Sequence, residues 1–161
     1  MSSRATELIQ GIVDELRDID ASGQFSFDTV TIKKSYAQVY ELESLEAWPT
    51  LFVRMASKTS TPASRIQYKQ DYTIVIEIVG KLSEYADTTD DGVIENIEQW
   101  IDFADEVERA MKENCRLIAD CTLLSITCDP ICETGNLEDT NIFRAFQEYT
   151  YTITERNTLG A

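Results

Sequence analysis

The sequence predicts a single α+β domain over residues 1–161, a mixed or mostly antiparallel sheet covered by two amphipathic helices. Two apolar stripes at helical spacing, two long runs of apolar and polar alternation, and turn-rich segments between them carry that prediction. The elements follow the order helix, strands, helix, strands. Apolar residues make up 43% of the chain, enough for one sizeable core, so the formal charge of −15 reads as a solvated surface and not as disorder.

The first helix is expected from about Thr6 to Ile19. Leu8, Ile9, Ile12, Val13, Leu16 and Ile19 repeat along one face, while Glu7, Asp14, Glu15, Arg17 and Asp18 occupy the rest. Gly11 weakens this helix locally, and Asp20-Ala21-Ser22-Gly23 reads as its exit. A short β-prone run, Thr29 to Lys33, follows. Pro49 restricts Trp48 to extended conformations and marks the start of a strand from Thr50 to Ala56, with Leu51, Val53 and Met55 on one face. Ser57 to Ser64, built of Ser, Thr, Pro, Ala and one Lys, reads as a loop with little reason to pack, a hinge or an exposed contact loop.

From Arg65 the alternation is strongest. Ile66, Tyr68, Gln70, Tyr72, Ile74, Ile76 and Ile78 define one face, opposite Gln67, Lys69, Asp71, Thr73, Val75, Glu77 and Val79, with Gly80 ending the regular part. A second helix is expected from Val93 to Asn114, with Ile94, Ile97, Ile101, Ala104, Val107 and Met111 as its stripe, widened by Trp100 and Phe103. Acids at its start and Lys112 and Arg116 near its end complement the helix dipole. Past Cys121, Leu124, Ile126 and Cys128 alternate until Pro130 interrupts. Gly135-Asn136 then offers a turn. The last strand places Phe143, Ala145, Gln147, Tyr149, Tyr151 and Ile153 on one face, opposite Arg144, Glu148, Thr150, Thr152 and Thr154.

The composition excludes several chemistries. With 29 Asp and Glu against 14 Lys and Arg, the surface repels nucleic-acid phosphates. No histidine is present, so imidazole-based triads and zinc-hydrolase sites have no base or ligand of that type. Cys115, Cys121, Cys128 and Cys132 lack paired CxxC spacing and read as small core thiols, not a zinc site. Gly92 and Gly135 stand outside any phosphate-cradling motif. Carboxylates are abundant, yet no nucleophile, base and orienting group stand together, and no ordered ligand spacing marks a cation loop. No catalytic residue, metal or cofactor is therefore expected. Met1-Ser2-Ser3-Arg4 leads straight into the first helix, and no run approaches the roughly 20 apolar residues that cross a bilayer, so a cytoplasmic site of assembly is expected.

The ordered pattern resembles the tail-terminator, or minor tail, proteins of long-tailed bacteriophages. The resemblance rests on the helix Leu8–Ile19, on Trp48-Pro49-Thr50-Leu51-Phe52-Val53, on the strand Gln67 to Glu77, on the helix Val93–Met111 and on the strand Phe146 to Ile153. It implies a subunit of a ring, commonly hexameric, at the head-proximal end of the virion tail. Its implied partners are further copies of itself, the tail-tube protein and a head-completion or connector protein. Such a ring stops tube growth without bond chemistry, and DNA passes through it without specific binding.

Charge then nominates surfaces. Arg54, Arg65, Lys69, Arg144 and Arg156 are the candidate subunit or tube contacts, because rare cations on an acidic chain orient neighbouring acidic surfaces. Asp102, Asp105, Glu106 and Glu108 are the candidate acidic channel surface, which would let DNA slide past. Two other readings compete: another tail-completion or head-to-tail connector protein, and an acidic binding or DNA-mimic inhibitor module.

Overall fold

A computed structural model of the chain describes residues 2–36, 48–82, 91–132 and 141–156, except for the side chains of residues 91–93. Two helices pack on one face of a mixed, mostly antiparallel, curled six-stranded sheet, so the expected α+β class holds. Chain order gives α1 (Arg4–Ala21), β1 (Thr31–Lys34), β2 (Thr50–Ser64), β3 (Gln67–Lys81), α2 (Asp91–Asn114), β4 (Leu117–Ile118), β5 (Cys121–Cys128) and β6 (Ile142–Arg156). Across the sheet the order is β1-β2-β3-β6-β5-β4. Among the described residues only the β1–β2 pair is parallel.

Helix α1 starts where Ser3 accepts a hydrogen bond from the Thr6 amide at 3.2 Å, satisfying one of the free donors of the first turn. It ends at Ser22, whose amide bonds the Asp18 carbonyl, and Gly23 supplies the positive φ of 75° that turns the chain away. The six apolar residues of its stripe are all buried. On α2 the buried line is Trp100, Phe103, Ala104, Val107, Ala110 and Met111, while Ile97 and Ile101 lie at its margin. The expected stripe is thus rotated slightly toward its large aromatics, which remove more surface from water than the isoleucines do.

Between α1 and β1, Phe25 and Phe27 fold back onto α2. Phe27 stacks on Trp100 at 4.6 Å and meets Phe103 edge-on at 5.1 Å, while Phe25 meets Phe103 at 5.6 Å. The other side of the Trp100 indole faces Phe143 of β6 at 6.2 Å. Gly80 lies against the same indole: a Cβ there would sit 2.5 Å from it. Gly11 on α1 has the same 2.5 Å approach to a methyl of Ile118. The two glycines should answer differently to Ala. Ile118 is only half-buried and can rotate, and Ala improves helix propensity by about 1 kcal/mol, so Gly11→Ala is expected to be near neutral. Trp100 is clamped between rings, so Gly80→Ala is expected to cost about 1–3 kcal/mol of overpacking. Paired thermal unfolding curves check the ordering, and equal shifts would contradict it.

Several sequence expectations change. Ser57–Ser64 is strand and not loop: it pairs with β3 all the way to the Ser64–Gln67 pair, with irregularities after Met55 and Pro62. The strongly alternating β3 supplies the template, and Thr and Ser tolerate an exposed ladder that has no core to fill. Gly80 does not end β3, which runs on to Lys81 opposite Ile142. Leu124 does not face inward with Ile126; an irregularity between Leu123 and Ser125 turns Leu123 toward Tyr151 and leaves Leu124 58% exposed. Ile66 lies in the β2–β3 turn, exposed. The Gly135-Asn136 turn and the acidic stretch Glu41 to Glu46 lie outside the described residues, as does nearly all of the loop between Lys81 and Asp91.

The face of the sheet away from the helices also departs from a simple polar surface. Toward one end, Phe52, Val79 and Ile142 form a second small cluster with Trp48 against it. Val75, Glu77 and Arg144 are buried on the same side. Toward the other end that face carries Ser57, Thr59, Thr73, Thr122, Ser125, Thr127, Thr150 and Thr152, a hydroxyl-bearing area set by the strand register.

Candidate assembly surface

The β2–β3 hairpin extends to the end of the sheet with its β2 strand bare, while β3 and the end of β6 beside it are part-buried. Every residue of β2 from Ala56 to Ser64 is exposed. Each of the three strands has 15 residues and spans about 50 Å at ~3.4 Å per residue, whereas the 18-residue α1 and the 24-residue α2 reach about 27 Å and about 36 Å at ~1.5 Å per residue. Arg4 at the start of α1 reaches the far end of β6: its Nε donates to Glu155, which stands opposite Tyr68, at 3.1 Å, and its Nη1 lies near Asp120 and Glu7. Glu155 is the first cause holding the Arg4 guanidinium above its usual pKa. Lys58 lies over the Tyr72 ring at 5.6 Å beside the same arginine.

The tip of this hairpin and the end of β6 gather three of the five basic candidates. Arg65 sits in the tip turn, Arg156 pairs with Gln67, and Lys69 lies two residues further along β3, near Asp71 at 3.4 Å. Ile66 and Tyr68 are exposed among them. Arg54 stands further down β2, opposite Val75 and half-buried, with its Nε lacking a hydrogen-bond partner among the described residues. Arg144 is a correction: it is 4% exposed, and its Nε lies 2.7 Å from the equally buried Glu77, so it holds the sheet together and offers no surface contact.

The four acids of α2 do not form one wall. Glu106 accepts from the Ser26 amide at 2.9 Å, and with Asp102 it lines a shallow pocket of about 370 Å³ against Phe27. Glu108 pairs with Lys112 at 3.1 Å. Glu108 and Asp105 both face the end of β5, where, after burial itself, they raise the pKa of the Cys128 thiol. The helix therefore shows acids on two flanks, one toward the Phe25–Phe27 segment and one toward β5.

Inside, the polar groups are committed to structure. Gln147 donates to the Ala104 carbonyl at 2.8 Å and accepts from the Tyr149 hydroxyl at 2.5 Å, and the Tyr151 hydroxyl donates to the Cys115 carbonyl at 2.7 Å. These bonds fasten β6 to α2 and to its exit. The cysteines are free thiols, Cys115 and Cys121 buried and Cys128 and Cys132 partly so. Among the described residues no group of three or more Cys, Asp or Glu is placed to hold a metal ion.

Sequence reasoning reached the tip cations but not the hairpin, because the Ser/Thr run that forms half of it lacks an apolar face. Phe25 and Phe27 went unread as well; two aromatics spaced by one residue in a polar segment were the available signal. No protein-family model matches the chain, and no curated protein matches it in sequence. What fold and surface define is an α+β protein with a basic hairpin tip on an acidic chain.

Proposed function

We propose that the chain is a structural subunit of a long-tailed bacteriophage, a tail terminator that assembles as a ring, caps the head-proximal end of the tail tube and stops its growth. The ring's opposite face receives the head-completion or connector protein, and no cofactor or bond chemistry enters the process. The observation that carries this reading is the β2–β3 hairpin, with β2 exposed from Ala56 to Ser64 and basic residues at its tip. A strand exposed along its whole outer half, as β2 is from Ala56 to Ser64, contributes little to its own stability, so its value lies in what it contacts. Arg65, Lys69 and Arg156 suit a neighbour whose surface is as acidic as this chain's own. The net charge of −15 also suits a passage for DNA, since a surface of net negative charge repels the phosphates.

Polymerising tail-tube protein in the presence of the purified chain tests this. At amounts far below the tube protein, the chain is expected to halt elongation, because one ring suffices per growing end. Tubes of unchanged length and growth rate would sink the proposal.

A further inference from the structure

The sheet has an incomplete edge on each side. β1 covers β2 only from Thr50 to Val53, and the Ser35 amide closes that pairing on the Val53 carbonyl at 2.9 Å. From Arg54 to Ser64, β2 has no outer neighbour among the described residues. On the far side β4 covers only Cys121 and Thr122, and the Leu123 amide reaches the Arg116 carbonyl at 2.8 Å. From Leu124 to Cys128, β5 likewise has no outer neighbour among the described residues. We propose that these edges meet between copies, β2 of one subunit pairing with β5 of the next and continuing the sheet across the contact. The inference rests on the ring-forming reading above and names the contact that builds the ring.

Three observations select a second copy as the occupant. The first is charge. The chain has no acidic residue between Glu46 and Asp71, where Arg54, Lys58, Arg65 and Lys69 lie, although acids outnumber bases 29 to 14 overall. The β5 edge carries no cation from Asp120 to Asp129: Asp120, bridged to Arg4, stands at its start, Asp129 follows its end, and Asp105 and Glu108, the latter paired with Lys112, face Cys128. One edge is thus basic and the other acid-flanked, which attracts unlike edges and repels like ones.

The second is direction. β2, β3, β6 and β5 alternate strictly, so β2 and β5 run oppositely within one copy. Rotation about an axis along the strands preserves direction, so the β2 edge of one copy meets the β5 edge of the next as an antiparallel pair. Because the two surfaces differ, the contact is head-to-tail, which closes into a ring when the rotation allows.

The third is protection. On β2, Lys58 and Pro62 guard the edge against indiscriminate pairing and limit the usable stretch to Arg54–Thr61. On β5, Leu123 to Cys128 carries neither charge nor proline, and Leu124 is 58% and β4 Leu117 65% exposed. An apolar, unguarded edge of this kind is an aggregation site unless a specific partner covers it.

The test blocks each edge separately by changing exposed side chains. Lys58→Glu with Thr61→Glu reverses the β2 edge, and Leu124→Lys with Thr127→Lys reverses the β5 edge. Light scattering after size exclusion is expected to show an oligomer for the unaltered chain and a monomer for each variant, with unchanged circular dichroism. Mixing the two variants is expected to restore complexes containing both, because each retains one intact edge and the altered edges are again of opposite charge. Should either double variant fold poorly, Lys58→Glu and Leu124→Lys alone are expected to weaken assembly at least tenfold. A monomeric unaltered chain, variants that assemble normally, or a mixture that stays monomeric would each overturn the inference. Edge-built rings that fail to stop tube growth would remove the capping reading and leave this contact standing, whereas edge-blocked variants that still cap tubes would do the opposite.

Discussion

Replacing Arg144 by Ala is expected to destabilise the chain by about 3–5 kcal/mol, because it takes the guanidinium away from the Glu77 carboxylate buried inside the sheet. Glu77 is fully buried, and the Arg144 side chain is only 5% exposed. The pair lies diagonally across β3 and β6, since Glu77 stands opposite Phe146 and Arg144 opposite Val79. The guanidinium also rests on the Phe146 ring at 4.9 Å. A loss of this size is a large share of the roughly 5–15 kcal/mol that stabilises a typical domain. Removing both charges together, as Glu77→Leu with Arg144→Met, is expected to recover most of the loss, because the desolvation cost leaves with the charges. Urea unfolding followed by tryptophan fluorescence measures both. A loss under about 1 kcal/mol for Arg144→Ala would mean that water reaches the pair.

Alkaline pH should weaken the fold nearly as much. Burial, with the Glu15 carboxylate second, pushes the Cys115 thiol from 9.0 up to about 12. Burial likewise raises Cys121, Tyr72, Tyr149 and Tyr151, Tyr149 and Tyr151 far above the ordinary tyrosine value. In each case the folded chain keeps a proton that the unfolded chain releases at lower pH. Stability from Cys115 is therefore complete below about pH 9 and is lost as pH rises toward 12, at up to ~1.4 kcal/mol per pH unit, or roughly 4 kcal/mol in all. Denaturant midpoints at pH 7, 9, 10 and 11 are expected to stay level between the first two and then fall. Cys115→Ala should flatten part of that fall. A midpoint unchanged to pH 11 would show that the thiol is wetter than its position under Tyr151 suggests.

Helix α1, β3 and β6 were legible in the sequence because each buries one face and its periodicity records that burial. Leu8 to Ile19 at helical spacing and Tyr72 to Ile78 in alternation could fill a core in no other simple way. The Ser57–Ser64 strand was not legible, since pairing on one side and solvent on both faces leaves no apolar period to read. Arg144 misled for a related reason. A charge on the face opposite the core normally marks solvent, and only the residue across the ladder, Glu77, reveals that this face is covered near Phe52, Val79 and Ile142. The candidate surface was half visible: Arg65, Lys69 and Arg156 converge at the tip of the hairpin, while the α2 acids, read as one face from their spacing, divide between two flanks.

The most direct measurement of the central claim is electron microscopy of the purified chain mixed with finished tail tubes. The capping account predicts a single ring of the chain at one end of each tube and none along its length or at the other end. Rings scattered along tubes, or a chain that never attaches at concentrations where it forms rings, would contradict it.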